Sequence, residues 1–369
     1  MQRLRVGVVG VGGIARWHIR GYQRCEGMDV VAAADVRTEA LEQVREAFGI
    51  AHTYTDYREM LAKEALDLVS VCTPNDMHYP VAMAAIERGL DVYCEKPLAL
   101  TLEQAREMAT AAAEAGIRTG VNFSHRITPA SRFAREILTS GALGAIFRVA
   151  AVYAAGWPQY AERPFTWRND AARAGFGGMG DMGSHIMDMM LWWLDTDVTS
   201  LAAHAKTFVP ERADPIRDKR VKVTTEDQGS LLLQYGNGAM GYLCGSYVFT
   251  GRGYDQRAEV YGSEGGLMYD QQRPYELQLW LPEEQMAPFT VIRRGGVSDR
   301  PYHTVLVPER LHGKDEAGPR SIVEAFAQSL QTGQASDLVP TFEDGLRVQE
   351  VLEASARAAA SRAWVDLPL

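Results

Sequence analysis

The segment Arg5–Tyr22, RVGVVGVGGIARWHIRGY, constrains the fold more than any other part of this 369-residue chain. Val6, Val8 and Val9 form a short apolar run, the pattern of a strand buried on both faces. Glycines follow at 10, 12 and 13, and Ala15–Tyr22 then continues without proline as the opening of a helix. A glycine-rich turn between strand and helix leaves the first helical N–H groups unpaired and lets a diphosphate approach bare backbone. Gly10, Gly12, Gly13, Ile14 and Ala15 are therefore the expected phosphate cradle, in the form G-x-G-x-x-A. A second apolar run, Val30–Ala34, ends on Asp35, whose carboxylate suits the ribose hydroxyls of an adenosine and repels a 2′-phosphate. Arg37, two residues on, can instead meet such a phosphate. NAD is the expected cofactor, with NADP left open.

Residues 1–122 continue in the same rhythm. Helical patterns at Thr38–Ala47, Asp56–Ala62, Asp76–Arg88 and Thr101–Ala115 alternate with apolar runs at Leu66–Val71, Asp91–Cys94 and Arg118–Val121. Thr101 with Gln104 three residues on has the form of a capping box, and Gly89 and Gly116 mark helix ends. Such alternation predicts a doubly wound parallel sheet, an α/β Rossmann domain with its ligand at the carboxyl ends of the strands. After Asn122 the pattern changes. A helix over Thr128–Leu138 gives way to strand-like segments from Ala145 to Val307, with the hairpin dipeptide Asn237-Gly238 between two of them, and helices return at Arg320–Leu330 and Phe342–Ala360. Residues 123–369 are expected to form an α+β domain on a large, mostly antiparallel open sheet that binds substrate and mediates oligomerisation. The charged, proline-containing stretch Pro210–Asp227 reads as an excursion at a subunit contact or over a site.

A formal charge of −9 without a Lys/Arg cluster argues against a nucleic-acid partner, and no apolar run is long enough for a membrane span. Cys25, Cys72, Cys94 and Cys244 are widely separated, which suits reduced thiols in a cytoplasmic protein and gives no support for a metal site.

Three places concentrate polar groups beyond what a simple fold requires. Thr73-Pro74-Asn75 with His78 follows a buried strand, and serves either a ligand or the start of a helix. Cys94-Glu95-Lys96-Pro97 follows another; the Lys96 ammonium can stabilise an alkoxide, or belong to an ordinary surface turn. The third is AGFGGMGDMGSHIMDMMLWW, Ala174–Trp193, where Gly175, Gly177, Gly178 and Gly180 read as a flexible lead-in to a helix running through Met182–Trp193. Asp181, His185 and Asp188 share one face if that helix holds all three. The alternative has Asp181 as a cap and His185 as a satisfied core histidine.

The strings GVVGVGGIARWH, VCTPNDMHYPVAMAAIERGLDVYCEKPLALT and GGMGDMGSHIMDMMLWW occur in an order and at spacings that resemble the glucose-fructose oxidoreductase/inositol dehydrogenase (Gfo/Idh/MocA) family. The resemblance extends to Asn122, Arg126 and Pro129, to Tyr261–Gly265, and to the tail from Ser321 to Pro368. It implies that Lys96, Asp181 and His185 form the catalytic set, His185 as general base, with Asp181 orienting it or holding a substrate hydroxyl. It also implies that Thr73, Pro74, Asn75 and His78 line the cofactor, with Glu95, Lys96 and Asn122 close by. Tyr153, Trp157, Trp167 and Arg168 precede the histidine helix and suit the wall of a sugar pocket, or equally a core or interface. The implied activity is NAD(P)-dependent oxidation or reduction at a secondary alcohol or ketone of a sugar or cyclitol, by a homodimer or homotetramer. Two rival readings stand beside it: an NAD-dependent glycosidase or lyase with transient internal redox, and a non-catalytic dinucleotide-binding regulator on the same fold.

Overall fold

The computed structural model describes residues 3–156, 160–295, 301–312 and 319–369. Two compact units emerge. One comprises residues 3–123, 172–175 and 319–349; the other comprises the remaining described residues.

The first unit is built on six strands: β1 (Leu4–Val9), β2 (Met28–Ala34), β3 (His52–Tyr54), β4 (Leu68–Val71), β5 (Asp91–Cys94) and β6 (Thr119–Val121). They pair in the order β3-β2-β1-β4-β5-β6, all parallel. The connecting helices are α1 (Ala15–Arg24), α2 (Thr38–Phe48), α3 (Tyr57–Lys63), α4 (His78–Ile86) and α5 (Leu102–Ala115). Val6, Val8, Leu68, Val69 and Val92 are fully buried, as two-sided coverage requires. The order reverses between β1 and β4, which opens a crevice at their carboxyl ends. Gly21 of α1 faces Val323 of the helix Ile322–Thr332, and Arg24 pairs with Glu324 at 3.3 Å.

Local chemistry sets the helix ends. Thr101 caps α5 by accepting from the Gln104 N–H, and Gly116 closes it in the left-handed region. The reciprocal half of the expected capping box is displaced by one residue: the Gln104 side chain accepts from the Leu100 N–H at 3.3 Å. The helix expected from Asp76 is also divided, with a 3-10 turn at Asn75–Met77 before α4. Pro80 lacks the N–H that an α-helix beginning earlier needs for its bond to residue 76.

The second unit carries a ten-stranded sheet. Across it run Val291–Arg293, His303–Leu306, Glu276–Trp280, Gly266–Asp270, Gly253–Gly262, Ile146–Gly156, Met240–Ser246, Gln228–Tyr235, Val198–Lys206 and Val365–Asp366. Neighbours are antiparallel except Ile146–Gly156 with Met240–Ser246. Asn237-Gly238 turns the hairpin as expected, with Gly238 at φ +88° and its N–H on the Tyr235 carbonyl. The charged excursion holds a hairpin, Glu211–Asp214 with Lys219–Lys222. Its buried Arg212 donates to the Tyr160 and Arg163 carbonyls at 2.7 and 3.1 Å. Among the described residues no helix is long and apolar enough to cross a membrane.

The glycine lead-in is not flexible. Met179–Gly183 forms a π-helical turn, and an α-helix follows at Ser184–Leu194. A Cβ at Gly177 would lie 2.0 Å from the Glu226 carbonyl oxygen, and one at Gly178 2.5 Å from that of Asp227. Glycine is required there because backbone packs directly on backbone.

Candidate active site

In the first unit the expected cofactor residues gather at the carboxyl ends of the parallel strands. Gly10 turns at φ +83°, and a Cβ there would lie 2.8 Å from the backbone of Cys72 and Thr73. A Cβ at Gly12 or Gly13 would meet nothing within 4 Å, and no side chain caps the N-terminus of α1 beyond Ile14 and Ala15. The loop is tied down from below. Asp35 accepts from the Val11 N–H at 2.9 Å and from the Arg37 N–H at 2.9 Å, and the Arg37 guanidinium folds back on it at 3.1 Å. Burial pushes Asp35 up, but the Arg37 side chain and the two N–H groups outweigh it and hold the carboxyl below its ordinary value.

Beside this loop the Thr73 hydroxyl is buried with no hydrogen-bond partner among the described residues. Asn75 donates its side-chain amide to the Ala174 carbonyl at 2.9 Å, and Pro74 leads into the 3-10 turn. His78 departs from the expected role. Its ring is fully buried, with Nδ1 2.9 Å from the Pro97 carbonyl and Nε2 3.1 Å from that of Thr73. A ring so enclosed ties two turns together and has no edge to offer a nucleotide. Burial lowers its pKa, so it stays neutral and donates to one carbonyl at a time. Lys96 follows β5 across a cis bond to Pro97, and its N–H donates to Glu95 at 3.2 Å.

In the second unit Asp181 lies inside the π-turn, and His185 in the first turn of the helix after it. A π-turn takes one extra residue, which changes the face each side chain presents; such turns recur at functional sites. Asp188 is consequently committed elsewhere, in a buried two-point ion pair with Arg126 at 2.9 and 2.5 Å. Asp181 accepts from the Tyr247 hydroxyl at 2.9 Å and has the Arg168 Nε at 3.7 Å. The His185 ring meets His125 edge-on, centroids 4.4 Å apart, and Tyr153 at 5.8 Å. All three rings are buried. Burial and the nearby Asp181 charge raise the Tyr153 hydroxyl well above its ordinary pKa, so it remains a neutral donor. Arg168 stacks on Trp167 at 4.4 Å. Among the described residues no three His, Cys, Asp or Glu side chains gather as metal ligands.

Two family models match the chain: an oxidoreductase family with NAD-binding Rossmann fold over residues 4–123, and a GFO/IDH/MocA C-terminal domain over 131–268. The chain belongs to the Gfo/Idh/MocA family. Among similar proteins, the levoglucosan dehydrogenase of Pseudarthrobacter phenanthrenivorans is 28% identical over 100% of this chain and 99% of its own. The inositol 2-dehydrogenase of Rhizobium meliloti is 24% identical, covering 99% of each. A solved levoglucosan dehydrogenase in complex with NADH and levoglucosan aligns over 100% of both chains, with a TM-score of 0.87 and 26% identity. This Gfo/Idh/MocA chain is an NAD-binding oxidoreductase acting on CH–OH groups. Its loop fits the dinucleotide: open space over Gly12 and Gly13, an uncapped helix start and an unsatisfied Thr73 hydroxyl face the same crevice end of the sheet.

Trp157 lies outside the described residues. Three residues of this Gfo/Idh/MocA chain escaped the sequence reading: Tyr247, which holds Asp181; His125, which packs on His185; and His18, buried beneath the glycine loop. Only His18 left a signal, as part of the buried stripe 15, 18, 19 and 22 of α1.

Proposed function

We propose that this chain oxidises a secondary alcohol of a sugar or cyclitol, or reduces the matching ketone, with Lys96, Asp181 and His185 as its catalytic groups. The observation that carries the reading is the setting of Asp181, a carboxylate fixed by a tyrosine hydroxyl and approached by a guanidinium, four residues before a histidine framed by rings. Aromatic faces with a few fixed polar groups suit a polyhydroxylated ring. NAD, held by the Gly10–Ala15 loop, would supply the hydride acceptor or donor. A ring nitrogen of His185 takes the proton of the reacting hydroxyl, and the Lys96 Nζ stabilises the oxygen as negative charge develops on it. Asp181 accepts a hydrogen bond from a neighbouring hydroxyl of the substrate. Tyr153, Trp167 and Arg168 wall the sugar, and the names of the relatives, which include sugar and inositol dehydrogenases, support the substrate class.

The test is a turnover screen of sugars, cyclitols and their keto forms with NAD and NADP in parallel. NADH formation on one of these classes is expected, with Lys96→Ala and His185→Ala each lowering kcat by about 10²–10⁴-fold while NAD still binds. Near-normal turnover in both variants overturns the assigned roles. Release of an aglycone without net NADH transfers the reading to the glycosidase chemistry. Self-association is part of the proposal: Phe147, Leu232, Met240 and Trp280 are exposed on the strands of the large sheet, and a monomeric mass in solution refutes it.

A further inference from the structure

His18 is a buried titratable group that the proposed reaction does not use. It lies on the inner face of α1, three residues after Ala15, and is 1% exposed. Its Nε2 is 2.9 Å from Glu95 Oε1; its Nδ1 is 2.9 Å from Ser70 Oγ and 3.2 Å from Cys72 Sγ. The same Glu95 oxygen accepts from Asn122 Nδ2 at 2.6 Å, and the other oxygen accepts from the Lys96 N–H at 3.2 Å. Tyr93 packs edge-on against the imidazole at 5.2 Å and donates its hydroxyl to Asn122 Oδ1 at 2.9 Å. Tyr22 donates to Ser70 Oγ at 3.3 Å. One imidazole therefore joins α1 to the ends of β4, β5 and β6.

We propose that His18 is a positioning residue: as an imidazolium it locks the Glu95 carboxylate, and through it the Lys96 backbone, to the dinucleotide-binding helix. The inference rests on the role assigned to Lys96 above and deepens it. Glu95 is only 7% exposed, and a carboxylate withdrawn from water needs donors and an opposing charge. Asn122 and the Lys96 N–H supply neutral donors, and His18 brings a cationic one. The groups facing the imidazole are Ser70 and Cys72 at β4, Tyr93 and Glu95 at β5, and Asn122 after β6, with Tyr22 of α1 bonded to Ser70. Burial alone lowers the His18 pKa, but Cys72 and Glu95 override it and raise it to about 10. Burial likewise pushes Glu95 up, and the bond to His18, the His18 and Lys96 charges and the Asn122 amide together outweigh it and hold the carboxyl below the ordinary range. The bridge turns the placement of the diphosphate helix into the placement of the Glu95-Lys96-Pro97 turn, so nucleotide and ammonium share one frame.

The test uses the whole chain without nucleotide first. In ¹⁵N-labelled protein the His18 ring, assigned by its loss in His18→Gln, is expected to keep both nitrogens protonated from about pH 6 to about pH 8.5, well past the ordinary histidine midpoint. Glu95→Gln is expected to return its titration towards that midpoint. In steady state, His18→Leu is expected to lower kcat by about 10²-fold through misplacement of Lys96, with KM for the alcohol within about threefold of wild type. His18→Gln, which keeps a donor towards Glu95 but no charge, restores part of kcat. A wild-type His18 ring that titrates in the ordinary range overturns the proposal. So does a folded His18→Leu with kcat within about threefold of wild type. A wild-type chain that turns over no polyol defeats the proposed function instead, and the ring-nitrogen result still decides whether His18 is the charged clamp.

Discussion

Gly10-Val11-Gly12-Gly13 and Gly177-Gly178-Met179-Gly180 each lead into a helix, the first at the expected phosphate cradle and the second ahead of His185, and each rests on a carboxylate. Asp35 accepts from the Val11 N–H, and Glu226 from those of Gly177 and Met179 at 2.8 and 2.9 Å. The surroundings differ in kind. Missing side chains at Gly12 and Gly13 leave open space for a ligand, whereas those at Gly177 and Gly178 make room for the protein's own backbone. The carboxylates differ too. Asp35 is held down by Arg37, while burial raises Glu226 and the two N–H groups offset that only in part, with the Asp227 charge adding to the rise. Glycine in a sequence marks where a side chain is forbidden; only the neighbours say whether a ligand or the fold forbids it.

The largest expected effect separates the two runs directly. Gly178→Ala drives a methyl into the Asp227 carbonyl, and urea unfolding should show a loss of about 3 kcal/mol. A loss under about 1 kcal/mol means that turn and strand can part cheaply, and the contrast collapses. Next comes Gly12→Val, which adds bulk only to open space. Its stability should stay within about 0.5 kcal/mol of wild type, while calorimetric NAD affinity falls by about tenfold or more.

The smallest effect is in pH dependence, and its sign differs between the turns. Asp35 has a folded pKa below its unfolded one, so its contribution is present above the ordinary carboxylate range and fades as pH falls through the lowered folded value. Glu226 has a folded pKa above its unfolded one, so its contribution is full below the ordinary glutamate value and is lost as pH rises through the raised one. Asp35→Asn should therefore flatten the acid side of a plot of urea midpoint against pH. Glu226→Gln, which keeps an oxygen for both N–H groups, should flatten the rise side and match or exceed wild-type stability at neutral pH by up to about 1 kcal/mol. Slopes of equal sign in the two variants contradict the assignment.

The legible parts of the chain were those governed by short range. Strand–turn–helix order, the Thr101 cap and the Asn237-Gly238 turn depend on residues a few positions apart, and the sequence reading of them survives in the structure. Glycine spacing located both turns but misjudged the second, because its partners at Glu226 and Asp227 lie about fifty residues away. The π-turn was equally opaque: an α-helix and a turn with one extra residue draw on the same amino acids. Tyr247, 66 residues beyond Asp181, and Glu95, 77 beyond His18, meet their partners only through sheet topology.

The second sheet holds a consequence for assembly order. Met240–Ser246 and Gly253–Gly262 follow one another in sequence yet never pair; Ile146–Gly156, made about a hundred residues earlier, is wedged between them. Ordering a distant segment before its contacts reward it is entropically costly, so both flanks of the sheet can zip from local hairpins well before this keystone enters. Tyr153 travels on that strand and pairs at Gly245 and Gln256. The ring beside His185 is thus delivered by a join between strands far apart in the chain, and a weakened join should register there before it disturbs either flank.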